Sequence, residues 1–431
     1  MTPVQTQLSP EFRDSPEGKE AAAIVRKCVH CGFCNATCPT YQLLGDELDG
    51  PRGRIYLIKQ MLEGAEVTRS TQLHLDRCLT CLNCQTACPS GVEYGHLVDI
   101  GRKLVEERVP RPPVEKAVRW SLKEGLTSSW FAPALRLGRA LRPLLPRVLR
   151  DKVPARNKAP ARNEVPARNE VQAGQASRHE EKPRGTQPRK VLILQGCVQP
   201  AMLPNIDRAT ERVLDAAGIQ AVYAAGAGCC GALRTHLSDG EGGLTDMRRN
   251  IDAWTPVLAA GGIEAIVSSA SACALAIKEY GHALANDALY AQRARQISAL
   301  ARDLSELLPS LVPALKDRLR TASAPRAAFH APCTLQHGQR LRGTVETHLR
   351  ALGFGVSADC DESHFCCGSA GTYSVLQPQL ATQLRDRKLS NLAKLEPQTI
   401  LSANVGCIQH LQSGTATPVM HWIEMLDQAM N

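Results

Sequence analysis

The sequence predicts an α+β multidomain chain: a small helical domain carrying two cysteine ladders, then two tandem α/β repeats. Three observations lead there. CVHCGFCNATCP, Cys28 to Pro39, returns as CLTCLNCQTACP, Cys78 to Pro89, with identical spacing. Beyond residue 189, short apolar runs that end in cysteine alternate with helical stretches, which argues for parallel sheets. The cysteines of this second part recur at offsets of 136, 137 and 134 residues, the mark of a duplication.

The ladder comes first. C-x2-C-x2-C-x3-C-P is the run found in bacterial ferredoxins that carry two [4Fe–4S] clusters. Three thiolates at i, i+3 and i+6 on a tight loop wrap three iron corners of one cube. The fourth, one residue further on and ahead of a proline, points away to the other cube. Cys28, Cys31, Cys34 and Cys88 are therefore expected on one cluster, and Cys78, Cys81, Cys84 and Cys38 on the second. Structural zinc is the competing reading, but zinc sites show two separated C-x2-C pairs rather than a third cysteine at the next step. Gly32, Asn35, Thr37, Asn83 and Thr86 suit backbone N–H groups turned toward cluster sulfur, which tunes potential. Between the ladders, Gly53 to Gly64 has helical periodicity. This two-cluster, ferredoxin-type domain is expected over 18–109.

Residues 110–150 form a helical, basic connecting segment. Trp120, Trp130 and Phe131 lie beside leucines, and Arg136, Arg139 and Arg142 fall at helical spacing. Two short helices packed on the neighbouring domain are expected; the other reading is a basic amphipathic surface for an anionic membrane or a partner. Residues 151–189 hold three near-copies of a six-residue, proline-bearing unit with no large apolar side chain, so they read as a disordered linker.

The first α/β repeat is expected over 190–285. KVLILQGC ends at Cys197, QAVYAAGAGCCG at Cys229 and Cys230, and IEAIVSSASAC at Cys273. A helical connection and the second repeat occupy 286–431: RAAFHAPC ends at Cys333, HFCCG carries Cys366 and Cys367, and TILSANVGC ends at Cys407. Each cysteine falls just past the carboxyl end of an expected strand, where open α/β sheets gather ligands. GAGCCG also matches G-x-G-x-x-G, yet two cysteines fill its loop and its counterpart HFCCGSAG lacks the first glycines, so nucleotide binding is not supported. His330 and His364 precede cysteine motifs, a place from which they could ligate metal or donate to sulfur; a satisfied core or surface histidine is the expectation for each. Cys360 is expected to be an ordinary small buried residue.

Composition narrows the function classes. Seventeen cysteines without a secretory signal point to a reducing compartment and metal chemistry, hence a cytoplasmic location. A formal charge of +9 is modest for 431 residues and spread along the chain, so no nucleic-acid partner is expected. No motif places a catalytic triad or a flavin fingerprint.

With these motifs in view, the chain resembles a known family. The paired CCG elements are similar to the cysteine-rich CCG domain of heterodisulfide reductases and of iron–sulfur subunits of respiratory dehydrogenases. A two-cluster module followed by two CCG repeats resembles anaerobic glycerol-3-phosphate dehydrogenase C subunits, lactate-utilisation proteins and, above all, glycolate oxidase (glycolate dehydrogenase) iron–sulfur subunits. The residues that carry the likeness are 49–62, 77–102, GCVQP (196–200), CCGAL (229–233), HAPC (330–333) and CCGSAGTY (366–373).

The resemblance implies an electron-transfer subunit that is not itself catalytic. Partner subunits carrying FAD oxidise glycolate to glyoxylate, and electrons pass toward a quinone or another acceptor at the cytoplasmic face of the inner membrane. It also implies the eight ladder ligands named above. In the CCG motifs a C-x2-C ending is incomplete, with Ala270 and Asn404 at the penultimate positions. A cluster with fewer protein ligands, a redox-active thiol site and a docking surface all stay open for Cys197, Cys229, Cys230, Cys273, Cys333, Cys366, Cys367 and Cys407. The alternative functions are a CCG-type thiol or disulfide reductase, or a subunit of a glycerol-3-phosphate or lactate dehydrogenase.

Overall fold

The computed structural model describes residues 3–142 and 189–430. The expected linker lies outside the described residues save for Arg189, which opens the first strand instead. Residues 143–150 of the basic segment also lie outside them.

Four helices of eight residues or more frame the first domain: Pro16–Lys27, Pro51–Leu62, Arg69–Asp76 and Tyr94–Arg108. Ser15 starts the first by accepting from Gly18 N–H, with Pro16 pre-set for the opening turn. Ile24, Val25, Ile58, Met61, Leu97 and Val98 meet in its core. The helices Pro51–Leu62 and Tyr94–Arg108 cross at Gly101, where a Cβ would lie 2.6 Å from Ile58 Cγ1. Two single-turn helices, Phe33–Ala36 and Asn83–Thr86, carry the third cysteine of each ladder.

The basic segment forms the helices Pro113–Thr127 and Phe131–Leu141, with no fully buried residue in either. Polar contacts hold them. Arg111 and Arg119 pair with Asp76 at 2.6 and 2.9 Å, while Glu124 pairs with Arg234 of the first repeat at 2.8 Å. The pair thus straps the helical domain to that repeat, and Trp120 and Trp130 stay on the outside.

Each repeat is an all-parallel sheet. The first contains β1 (Arg189–Ile193), β2 (Ile219–Val222), β3 (Ile263–Ser268) and β4 (Ala301–Asp303), in the order β2-β1-β3-β4. The second contains β5 (Ala327–Phe329), β6 (Val356–Ser357), β7 (Thr399–Ser402) and β8 (Val419–His421), in the matching order β6-β5-β7-β8. The central strands β5 and β7 are buried throughout, and β1 and β3 are buried from their third residue onward, as sheets covered on both faces require. One expected boundary moves. The expectation opens the connection and second repeat at residue 286, but Ala301–Asp303 pairs with β3 and completes the first sheet.

The two repeats are fused rather than strung. A single apolar core runs from Val191, Ile206 and Val213 through Leu308 and Leu311 to Ile400, Trp422 and Leu426. The helix Trp422–Ala429 packs on Pro204–Ala216 of the first repeat, with Arg212 and Asp427 2.5 Å apart at the rim. His421 donates through Nε2 to Ser269 O at 2.9 Å and accepts from Ile423 N–H at 3.1 Å, so it ties the sheets together as a satisfied histidine.

Candidate metal centres

The two ladders fold alike. His30 and Gly32 in the first, and Thr80 and Leu82 in the second, take positive φ at the same two steps. Left-handed backbone costs a non-glycine residue about 1–2 kcal/mol, and a β-branched threonine resists it most. The return is a loop whose amides turn inward: Thr80 N–H points at Cys78 Sγ, 3.4 Å away. Strain repeated in both copies is the sort that a bound anionic centre offsets.

The thiols gather into two groups. Cys28, Cys31 and Cys88 surround Cys34, whose thiol is pushed up to about 12 by burial and then by those neighbours. Cys84 is surrounded chiefly by Cys81, Cys78 and Cys38, and burial again raises its thiol. Every cysteine is unbridged. Buried thiols such as Cys34 and Cys84, which resist ionisation by themselves, become thiolates when a cationic core joins them, so this donor set fits iron–sulfur ligation.

Two buried arginines serve the second group. Arg102 donates to Leu75 O, to Cys78 O at 2.5 Å and to Thr80 Oγ1 at 2.8 Å, which fixes the loop. Arg54, 1% exposed, donates to His74 O at 2.8 Å and Thr40 Oγ1 at 3.2 Å, with Nη1 4.0 Å from Cys38 Sγ. Burial alone would lower its pKa, but Cys78, Tyr94, Cys38 and Asp49 around it hold it above the usual value. Asp49 also binds Arg77 at 2.8 Å and His74 at 3.0 Å. Sequence reasoning passed over Arg54. Its signal was a charge in register with the apolar stripe Ile55, Ile58 and Met61 of an otherwise ordinary amphipathic helix.

In the first repeat the four CCG-type cysteines converge. Cys197 Sγ lies 3.5 Å from Cys229 Sγ, and Cys230 reaches both Cys229 and Cys273. Donation from Cys197 and Cys230 lowers the Cys229 thiol, and the bond to Cys229, followed by burial, raises Cys197. Asn250 and Tyr280 anchor the pair by donating to Cys229 O at 2.7 Å and Cys230 O at 3.0 Å. Gly231 has φ 90° and a notional Cβ 2.7 Å from Gly243 O, so this glycine serves helix packing.

The second repeat departs from that pattern. Cys333, Cys366, Cys367 and Cys407 form a chain of neighbouring thiols, and Cys333 also reaches Cys81 of the second ladder. Leu79, Tyr373 and Leu384 seal this junction, and Asn83 Nδ2 donates to His364 O at 3.3 Å. The ladder spacing gave no sign of this contact. His364 uses its carbonyl here, also accepting from His337 Nε2 at 2.9 Å. His330 differs from its expectation: the ring is buried, Nε2 has no hydrogen-bond partner, and burial lowers its pKa to about 3. Cys360 is only partly buried and lines a cavity with His330, Glu346 and Lys388.

Comparison with known proteins agrees with this layout. Residues 24–92 match the 4Fe-4S dicluster domain family, and residues 191–278 and 327–412 each match the cysteine-rich domain family. The chain is 51% identical over 428 residues to the glycolate oxidase iron-sulfur subunit of Escherichia coli (strain K12), covering 99% of both chains. It is 25% identical over 418 residues to the probable glycolate oxidase iron-sulfur subunit of Bacillus subtilis (strain 168), covering 95% of this chain and 92% of that one. Lactate utilization protein A of Bacillus licheniformis is 24% identical over 249 residues, which span 55% of this chain and 99% of that protein.

Proposed function

Because the chain belongs to the family of glycolate oxidase iron–sulfur subunits, we propose that it is the electron-transfer subunit of a flavin-linked glycolate (2-hydroxyacid) dehydrogenase. A partner subunit carrying FAD oxidises glycolate to glyoxylate, and this chain passes the electrons toward a quinone or another acceptor. The carrying observation is the gathering of the ladder thiols around Cys34 and Cys84 into two groups of four. Cys28, Cys31, Cys34 and Cys88 hold one [4Fe–4S] cluster and Cys78, Cys81, Cys84 and Cys38 the other. Bound there, each cluster carries one electron at a time, which lets a two-electron flavin discharge in single steps.

The chain's own residues orient and tune. The strained loops aim amides at sulfur, Arg102 fixes the second loop, and Arg54 places a buried positive charge beside it. The first loop is open at Phe33, 63% exposed, whereas the second repeat covers the second loop. The first is therefore the face for a partner. Among the described residues no helix is long and apolar enough to cross a membrane, so association with the cytoplasmic face of the inner membrane would be peripheral.

Cys31→Ser or Cys81→Ser, purified anaerobically with its partners, should lose one cluster and stop transfer to the acceptor while glycolate still reduces the flavin. A flavin that glycolate no longer reduces would refute this division of labour. The contact between Cys81 and Cys333 gives a thiol-reductase reading a definite form: two electrons and two protons delivered there would open a substrate disulfide to two thiols. Retention of glycolate-to-acceptor transfer in Cys333→Ser, with disulfide reduction lost, would favour that reading.

A further inference from the structure

We propose that the second repeat binds one zinc-class divalent ion through the His330 imidazole and the Cys367 and Cys407 thiolates. Their donor atoms all lie within 4.8 Å of one another, and all three residues are buried. They come from three places in the repeat: just after β5, the CCG loop, and the helix Val405–Gln412 that follows β7.

His330 points to a ligand independently of that proximity. Nε2 is sealed from water with nothing to bond, a state that native interiors rarely leave standing. The residue is also held in place. Its N–H donates to Leu401 O at 2.8 Å, and its carbonyl accepts from Ser402 Oγ at 3.0 Å. At the duplicate position, 136 residues earlier, the first repeat has Leu194, buried in its apolar core. The imidazole therefore belongs to the second repeat alone.

The donor set selects the metal. Two thiolates and an imidazole suit tetrahedral zinc, and their two negative charges neutralise the dication in a buried site. Three protein ligands leave a fourth position, with Asn404 Nδ2 3.8 Å from Cys407 Sγ as outer support. Cys333 bonds Cys366 and Cys81 and lies outside the group of three donors. The ion is redox-inert, so the inference stands apart from the electron relay.

The test uses the full chain purified anaerobically, with iron and zinc counted by elemental mass spectrometry and the zinc environment read by X-ray absorption. About one zinc per chain is expected, in a shell of two sulfurs and one imidazole nitrogen. His330→Ala and Cys407→Ser should drop zinc at least tenfold with iron unchanged, and Cys333→Ser should keep it. His330→Cys should retain zinc in a shell without imidazole, which guards against misfolding of the alanine variant. Zinc-free wild-type protein, a shell without nitrogen, zinc loss in Cys333→Ser, or iron rather than zinc lost in Cys407→Ser would overturn the proposal.

Discussion

Replacing Arg54 tests whether its buried charge tunes the cluster assigned to Cys78, Cys81, Cys84 and Cys38. Guanidinium Nη1 is 4.0 Å from Cys38 Sγ, and an added electron spreads over the cube, so a mean separation of about 6 Å is a working distance. At an effective dielectric of about 20 the attraction is roughly 332/(20 × 6), about 3 kcal/mol. For one electron that corresponds to on the order of 100 mV. Arg54→Met should therefore lower the midpoint of this cluster by about 100 mV, and Arg54→Lys should retain most of it. Asp49 stays paired through Arg77 at 2.8 Å, so the substitution does not strand that carboxylate. Anaerobic redox titration followed by electron paramagnetic resonance reads both clusters in one sample. An unmoved midpoint, or equal shifts in both clusters, would show that the charge only supports the fold.

Two further outcomes concern stability. Burial raises the Asp207 carboxyl to about 7, although Gln199 Nε2 donates to it at 2.7 Å. The folded chain holds that proton longer than the unfolded one, so this stability is full below about pH 4 and is lost as pH rises through 7. The loss is roughly 4 kcal/mol at most; Asp207→Asn should flatten the fall in urea midpoint between about pH 4 and pH 7, and an unchanged slope would assign it elsewhere. Gly231→Ala adds a Cβ at φ 90°, 2.7 Å from Gly243 O, and should cost about 1–3 kcal/mol in denaturant titration; a neutral result would mean that the Cys229–Cys230 loop relaxes freely.

Much of the architecture was legible because it is local. Cysteine pitch encodes a loop, and matching offsets encode a duplication, so both can be read without a fold. The three-residue strand Ala301–Asp303 was not legible, because it is too short to show a period and only its pairing with β3 defines it. Proximity among ladder thiols was readable from their spacing, the ligands themselves being the proposal above. The contact of Cys81 with Cys333 depends on how one domain lies against another, 252 residues apart in sequence. Arg54 was hidden for a different reason, and His330, though noticed beside its cysteine motif, was read as a satisfied histidine for the same one. A charge or an imidazole acquires meaning from what surrounds it, and burial is a property of the folded chain.

The helix Trp422–Ala429 has a consequence for biosynthesis. It lies against Pro204–Ala216, more than two hundred residues earlier on the ribosome's schedule. While those late residues are still being made, the early sheet must wait with one flank bare, an interval in which chaperones would find it.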